Sequence, residues 1–111
     1  MNKIEFSEHF DKLNRMEWTT IRKANKENLE KYQDHIHEAF EIFIKCESYG
    51  LAVLKDVSIV SGKDIPFRVL IDDISIKSKA PMEWYRKIRA MPECLLLTFN
   101  SLVSPMNEVY I

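Results

Sequence analysis

The stretch from Phe40 to Val60 constrains this chain most. From Phe40 to Glu47 the side chains alternate, with Phe40, Ile42, Ile44 and Cys46 on one side and Glu41, Phe43, Lys45 and Glu47 on the other. Period two is the repeat of a strand with one buried face, whereas a helix repeats its apolar positions three and four apart. Leu51 to Val60 is again apolar and β-branched. Ser48-Tyr49-Gly50 between the two runs reads as a tight connection, so the pair is expected to form a hairpin.

The flanking segments are less regular. Ser7 can cap a short helix from Glu8 to about Arg15, with Phe6, Phe10 and Leu13 as its apolar stripe. Glu17 to Arg22 is aromatic and β-branched and reads as extended. Asn25 suits the cap of a short exposed helix reaching Gln33, and His35 to Glu38 reads as loop. Ser61-Gly62-Lys63-Asp64 is a turn. Ile65 to Ile76 is open between strand and helix: Phe67 to Ile71 has strand propensity, while Asp64 and Pro66 suit a helix start. Ser78 is expected to cap a later helix in which Ala80, Trp84, Ile88 and Met91 form the packed face. Leu95 to Phe99 is apolar on both faces, as a covered central strand would be, and residues from 101 onward form a tail or a last edge strand. Such an order predicts an α+β domain over residues 1–111, with a mostly antiparallel sheet.

Composition narrows what such a domain can do. The chain is 111 residues long, 46% hydrophobic and 30% charged, values that exclude wholesale disorder. Sixteen Lys and Arg stand against seventeen Asp and Glu, for a formal charge of −1. A polybasic binder is therefore excluded, and contact with nucleic acid would need a local patch. Cys46 and Cys94 lie in no CxxC pair and are expected to be reduced, buried core residues. His35 and His37 sit beside Asp34 and Glu38, but no third and fourth ligand converges there, so neither metal nor cofactor is expected. No apolar run approaches the roughly 20 residues of a membrane helix, Met1 to Phe10 has no leader-like apolar core, and the expected location is the cytoplasm.

Three stretches give the chain a family likeness. Phe6 to Leu13 followed by Thr19-Thr20-Ile21-Arg22, the run Gly50 to Val57, and Ser78 to Met91 followed by Leu95 to Phe99 together resemble the ASCH family of the PUA-like superfamily. The resemblance implies a small, partly open β-barrel with flanking helices, and it favours helix over Ile65 to Asp73. It also implies a ligand cleft at the family's motif, which is a Gly, a Lys two on, a Thr or Glu three after that and an Arg two further. Here Thr20 and Arg22 match, while Arg15 stands in the Gly position and Glu17 in the Lys position.

The residues themselves point to the same place. In an extended segment Trp18, Thr20 and Arg22 share one face and Thr19 and Ile21 the other. An indole, a hydroxyl and a guanidinium in a row can stack on a base, donate to a carbonyl and contact phosphate. Lys23 and Lys26 extend a positive edge that Glu27 and Glu30 dilute. Lys77, Lys79, Arg86, Lys87 and Arg89 form a second basic group, in which Arg86 and Arg89 share a helix face. Asp72-Asp73 offers carboxylates for base chemistry, or simply a helix end. The leading expectation is a non-catalytic module that binds RNA or a nucleotide-like ligand through Trp18, Thr20, Arg22, Lys23, Arg86 and Arg89. A small hydrolase or nuclease using Thr20 and Glu17 is one alternative, and a protein-interaction module with a vestigial cleft another. The resemblance extends to small amidohydrolases that act through a Lys, a Thr and a Glu. That mechanism is not expected here, because Glu17 replaces the Lys and Ile74 to Ala80 contains no Glu.

Overall fold

The computed structural model describes residues 2–73 and 81–103. Five strands form one mixed, strongly curled sheet: β1 (Asn2–Phe6), β2 (Glu17–Lys23), β3 (Ala39–Ile44), β4 (Glu47–Val60) and β5 (Cys94–Val103), in the spatial order β1-β3-β4-β5-β2. Three helices accompany them: α1 (Lys26–Gln33), α2 (Phe67–Asp73) and α3 (Pro81–Arg89). Short 3-10 turns at Asp11–Asn14 and Gly62–Asp64 complete the described structure. The α+β class and the partly open, barrel-like sheet are therefore as the sequence implies. No helix among the described residues is long and apolar enough to cross a membrane.

β1 is the element that the sequence reading lacks. It pairs in parallel with β3, Ile4 opposite Ile42, while the other three ladders are antiparallel. The sheet is thus mixed, and mostly antiparallel as expected. The helix expected from Glu8 is reduced to the 3-10 turn at Asp11–Asn14, because Phe6 ends a strand and does not begin a helical stripe.

The hairpin forms with a different turn. Lys45 and Cys46 both adopt positive φ, 51° and 68°, and make a two-residue connection between Ile44 and Glu47. That left-handed pair matches the twist of the flanking strands. Gly50 instead sits in the ladder opposite Ile42, next to a bulge that absorbs Tyr49. Cys46 is consequently exposed and only Cys94 is buried, which corrects the expectation for the first thiol.

The sheet separates two apolar clusters. Within its curl lie Ile4, Phe6, Leu13, Trp18, Tyr32, Phe40, Ile42, Leu54, Leu95, Leu97 and Phe99. On the other side Ile21, Ile65, Leu70, Ile88 and Cys94 pack beneath α2 and α3. β5 serves both, since Leu95, Leu97 and Phe99 point inward and Cys94 and Leu96 outward, so the covered central strand is present. It also runs on through Val103, so of the tail and the strand expected from 101 the described residues form strand, continuous with β5. Ser101 is buried, its hydroxyl donates to Arg15 O at 2.9 Å, and its N–H donates to Met16 O at 2.7 Å.

Local chemistry explains the helices. Asn25 Oδ1 accepts from Asn28 N–H at 2.8 Å and starts α1, as its cap position predicts. Ile65 to Asp73 resolves as helix from Phe67, with Leu70 N–H bonded to Pro66 O at 3.1 Å. Residues 74–80, with the expected Ser78 cap and Ala80, lie outside the described residues. In α3, Ile88 is buried and Tyr85 and Met91 pack beside it. Trp84, expected in that packed face, is 36% exposed. The inward stripe runs through Tyr85 and Ile88, three apart, and this turns Trp84 to the flank. Gly62 seats α3: a Cβ there would lie 1.8 Å from Ile88 O.

Candidate functional site

β1 and β2 end the sheet on its two sides, so the curl leaves a seam between them. A cavity of about 350 Å³ opens at this seam. Phe6 lines it from β1, Phe10 and Lys12 from the following connection, Thr20, Arg22 and Lys23 from β2, Asn28 from α1, Asp73 from α2 and Trp84 from α3.

The floor is a buried ion pair. Lys12, 2% exposed, donates from Nζ to Thr19 O at 2.6 Å and to Asp73 Oδ1. Asp73 Oδ2 accepts the Ile21 N–H at 3.0 Å. The Lys12 ammonium also stands 5.8 Å from the Phe6 ring centre and 5.5 Å from that of Phe10. Burial pulls the Lys12 proton affinity below its ordinary value, against the opposing pull of Asp73. Next to this pair, Asp72 grips Arg15 through two bonds of 2.7 and 3.1 Å, nearer solvent.

Arg22 spans the seam. Its Nη2 donates to Glu5 O at 3.0 Å and its guanidinium lies 5.1 Å from the Phe6 ring centre. Its Nε is enclosed without a hydrogen-bond partner among the described residues. Asn28 Nδ2 donates to Lys23 O at 3.0 Å, which ties α1 to the end of β2. Thr20 is 2% exposed and lines the cavity from the same strand face as Arg22.

The expected residues therefore divide. Thr20, Arg22 and Lys23 meet at the cavity. Trp18 shares their strand face but lies deeper, 2% exposed, stacked on Phe99 at 4.7 Å with its N–H on Ser101 Oγ at 3.0 Å. Its π-face is taken, so the aromatic surfaces left at the cavity are Phe6, Phe10 and Trp84. Glu17 faces away from Thr20 and pairs with Lys55 at 3.0 Å, which removes it as a base for that hydroxyl. Arg89 is occupied by the carbonyls of Gly62, Lys63 and Ile65 at 3.1, 3.0 and 2.7 Å, so it clamps α3 to the turn beneath it. Arg86 is exposed and outside the cavity lining. The two basic groups thus do not flank one cleft among the described residues; Lys77 and Lys79 lie outside them. His35 bonds Glu38 at 2.8 Å, and no cluster of three or more potential metal ligands occurs among the described residues.

Lys12 and Trp84 escaped the sequence reading as site residues, and Asp73 appeared there only as one of two carboxylates. Nothing in the local pattern marks Lys12, which falls on the polar side of the expected Phe6, Phe10 and Leu13 stripe. No family model, curated protein or solved structure matches this chain. The functional reading therefore rests on the geometry of the seam and on the sequence resemblance.

Proposed function

We propose that this chain is a PUA-like module of the ASCH type that binds a nucleotide-like ligand, free or as one unit of an RNA strand, in the β1–β2 seam. The observation that carries the reading is the composition of the cavity wall. Phe10 and Trp84 supply aromatic surface, Arg22 and Lys23 supply cationic groups, and Thr20 and Asn28 supply polar side chains. Bases stack on aromatic rings, and phosphates are drawn to arginine and lysine. A volume near 350 Å³ falls within the roughly 300–1,000 Å³ of small-molecule sites.

Calorimetric titration with single-stranded RNA and with mononucleotides tests this. Binding should weaken as salt rises. Trp84→Ala should remove about 1–3 kcal/mol, and Arg22→Ala should also flatten the salt dependence. Equal binding by both variants and the parent would move the site elsewhere.

A second reading rests on a different observation: Lys12, Thr20 and Asp73 border the same cavity. A lysine whose proton affinity is lowered by burial can serve as a base, and a threonine hydroxyl lining the same cavity as a nucleophile. On this reading the chain is a small hydrolase acting on an acylated nucleoside, with Lys12 and Asp73 in the roles for which Glu17 is unsuited. Release of acetate from an acetylated cytidine, abolished in Thr20→Val, would favour it. No release would leave the binding reading alone.

A further inference from the structure

The two ends of the cavity differ in charge. Toward solvent, the charged lining residues are Arg22, Lys23 and Glu5, an excess of one positive charge. At the floor, Lys12 and Asp73 are bonded to each other. Wherever their shared proton lies, that pair carries no net positive charge. Most of its hydrogen-bonding capacity is also committed: two of the three Lys12 Nζ protons go to Thr19 O and Asp73, and both Asp73 oxygens accept, from Lys12 and from the Ile21 N–H. Around them stand the Phe6 and Phe10 rings and the Thr20 side chain.

A phosphate brought to this floor would lose its water and gain no free cation, only the nearby Asp73 carboxylate. That is the costly arrangement for a buried charge. An uncharged heterocycle with carbonyl and amine edges meets aromatic surface and one hydroxyl, which suits it. We infer that the ligand enters base first, with its phosphate held at the mouth by Arg22 and Lys23, and that Asp73 is the specificity residue that keeps phosphate from the floor. The inference rests on the nucleotide-binding reading and adds to it an orientation and a ligand class. Nucleosides and their monophosphates are the ligands, and inorganic phosphate is excluded from the floor.

The test is calorimetric titration of the full chain with the four common ribonucleosides, their 5′-monophosphates and inorganic phosphate. At least one nucleoside should bind, its monophosphate should bind several-fold more tightly at low salt, and inorganic phosphate should not compete with the nucleoside. Lys23→Ala should bring the ratio of monophosphate to nucleoside affinity towards one. Asp73→Asn keeps an oxygen for the Ile21 N–H but removes the countercharge of Lys12. In that variant inorganic phosphate should gain at least tenfold in affinity, with circular dichroism reporting that the fold persists. If Asp73→Asn does not fold, the Lys23→Ala ratio and the phosphate competition in the parent decide the matter. Competition of inorganic phosphate with the nucleoside in the parent, a ratio unmoved by Lys23→Ala, or a folded Asp73→Asn whose floor still rejects phosphate would each overturn the orientation while leaving nucleotide binding intact. Absence of binding by every nucleoside and nucleotide would instead overturn the nucleotide-binding reading, and the inference with it.

Discussion

The inner face of β2 has two ends with different fates. At Trp18 the strand is roofed by Phe6 and Phe99, and even the indole N–H is satisfied inside, by Ser101. Two and four residues on, Thr20 and Arg22 face the same way, yet they border an opening. The cover over that face is what differs. β5 runs alongside the whole of β2, and among the described residues no strand lies on its other side; Trp18 is covered by rings from β1 and β5, whereas near Arg22 the roof comes from side chains of separate elements. Packing by contiguous β structure closes a core, while packing by Lys12, Arg22, Asp73 and Trp84 leaves room for a guest.

The sharpest way to break this contrast is to truncate the two tryptophans. Trp18→Ala should cost about 3–5 kcal/mol in denaturant unfolding, as large-to-small changes in a filled core do. Trp84→Ala should cost under about 1 kcal/mol, because its ring is partly in solvent. Similar losses for the two would erase the distinction between closed and open ends.

A somewhat smaller effect separates the paired aspartates of α2. Asp73→Ala strands the Lys12 ammonium in a buried site and deprives the Ile21 N–H of its acceptor, and it should cost about 3 kcal/mol. Asp72→Ala removes a partner of the exposed Arg15 and should cost at most about 1 kcal/mol. The same unfolding experiment reads both, and a reversed order would mean that the floor of the seam is wet.

The smallest effect is a slope with pH. Burial lowers the folded-state proton affinity of Lys12 below its ordinary value of 10.5. Between the lowered value and 10.5 the unfolded chain holds a proton that the folded chain has released, so the lysine makes stability rise with pH across that window. Cys94 and Tyr49, both raised by burial from 9.0 and 10.0, make stability fall above those values. The difference between the parent and Lys12→Met isolates the lysine, and the variant should lack the rise. Parallel curves for the two would place the ammonium in solvent.

These regions were also unequally legible in the sequence. The cap at Asn25, the hairpin strands and the covered run Leu95 to Phe99 follow from local rules, because each is decided by neighbours in the chain or by period two. The shared face of Trp18, Thr20 and Arg22 follows from the same alternation. β1 offers only Ile4 and Phe6 as inward positions, and its partner β3 begins more than thirty residues later, so its pairing is invisible to any window. The Lys45–Cys46 turn carries neither Gly nor Asn, the residues that ordinarily announce positive φ. The floor of the cavity was the least legible, since Lys12 and Asp73 meet across 61 positions and only the completed curl brings them together. Trp84 has the right spacing for a core face, and helical spacing does not decide which of two adjacent stripes is turned inward.

One consequence of the seam concerns what the chain avoids. β2 ends the sheet, and an uncovered strand edge is a template on which another chain can grow. Three of its backbone groups are met by side chains: Thr19 O by Lys12, Ile21 N–H by Asp73 and Lys23 O by Asn28. Each stands where the backbone of an added strand would have to bond. The residues that shape the cavity therefore also blunt the edge against aggregation, and a variant that empties the floor exposes both a pocket and a sticky strand.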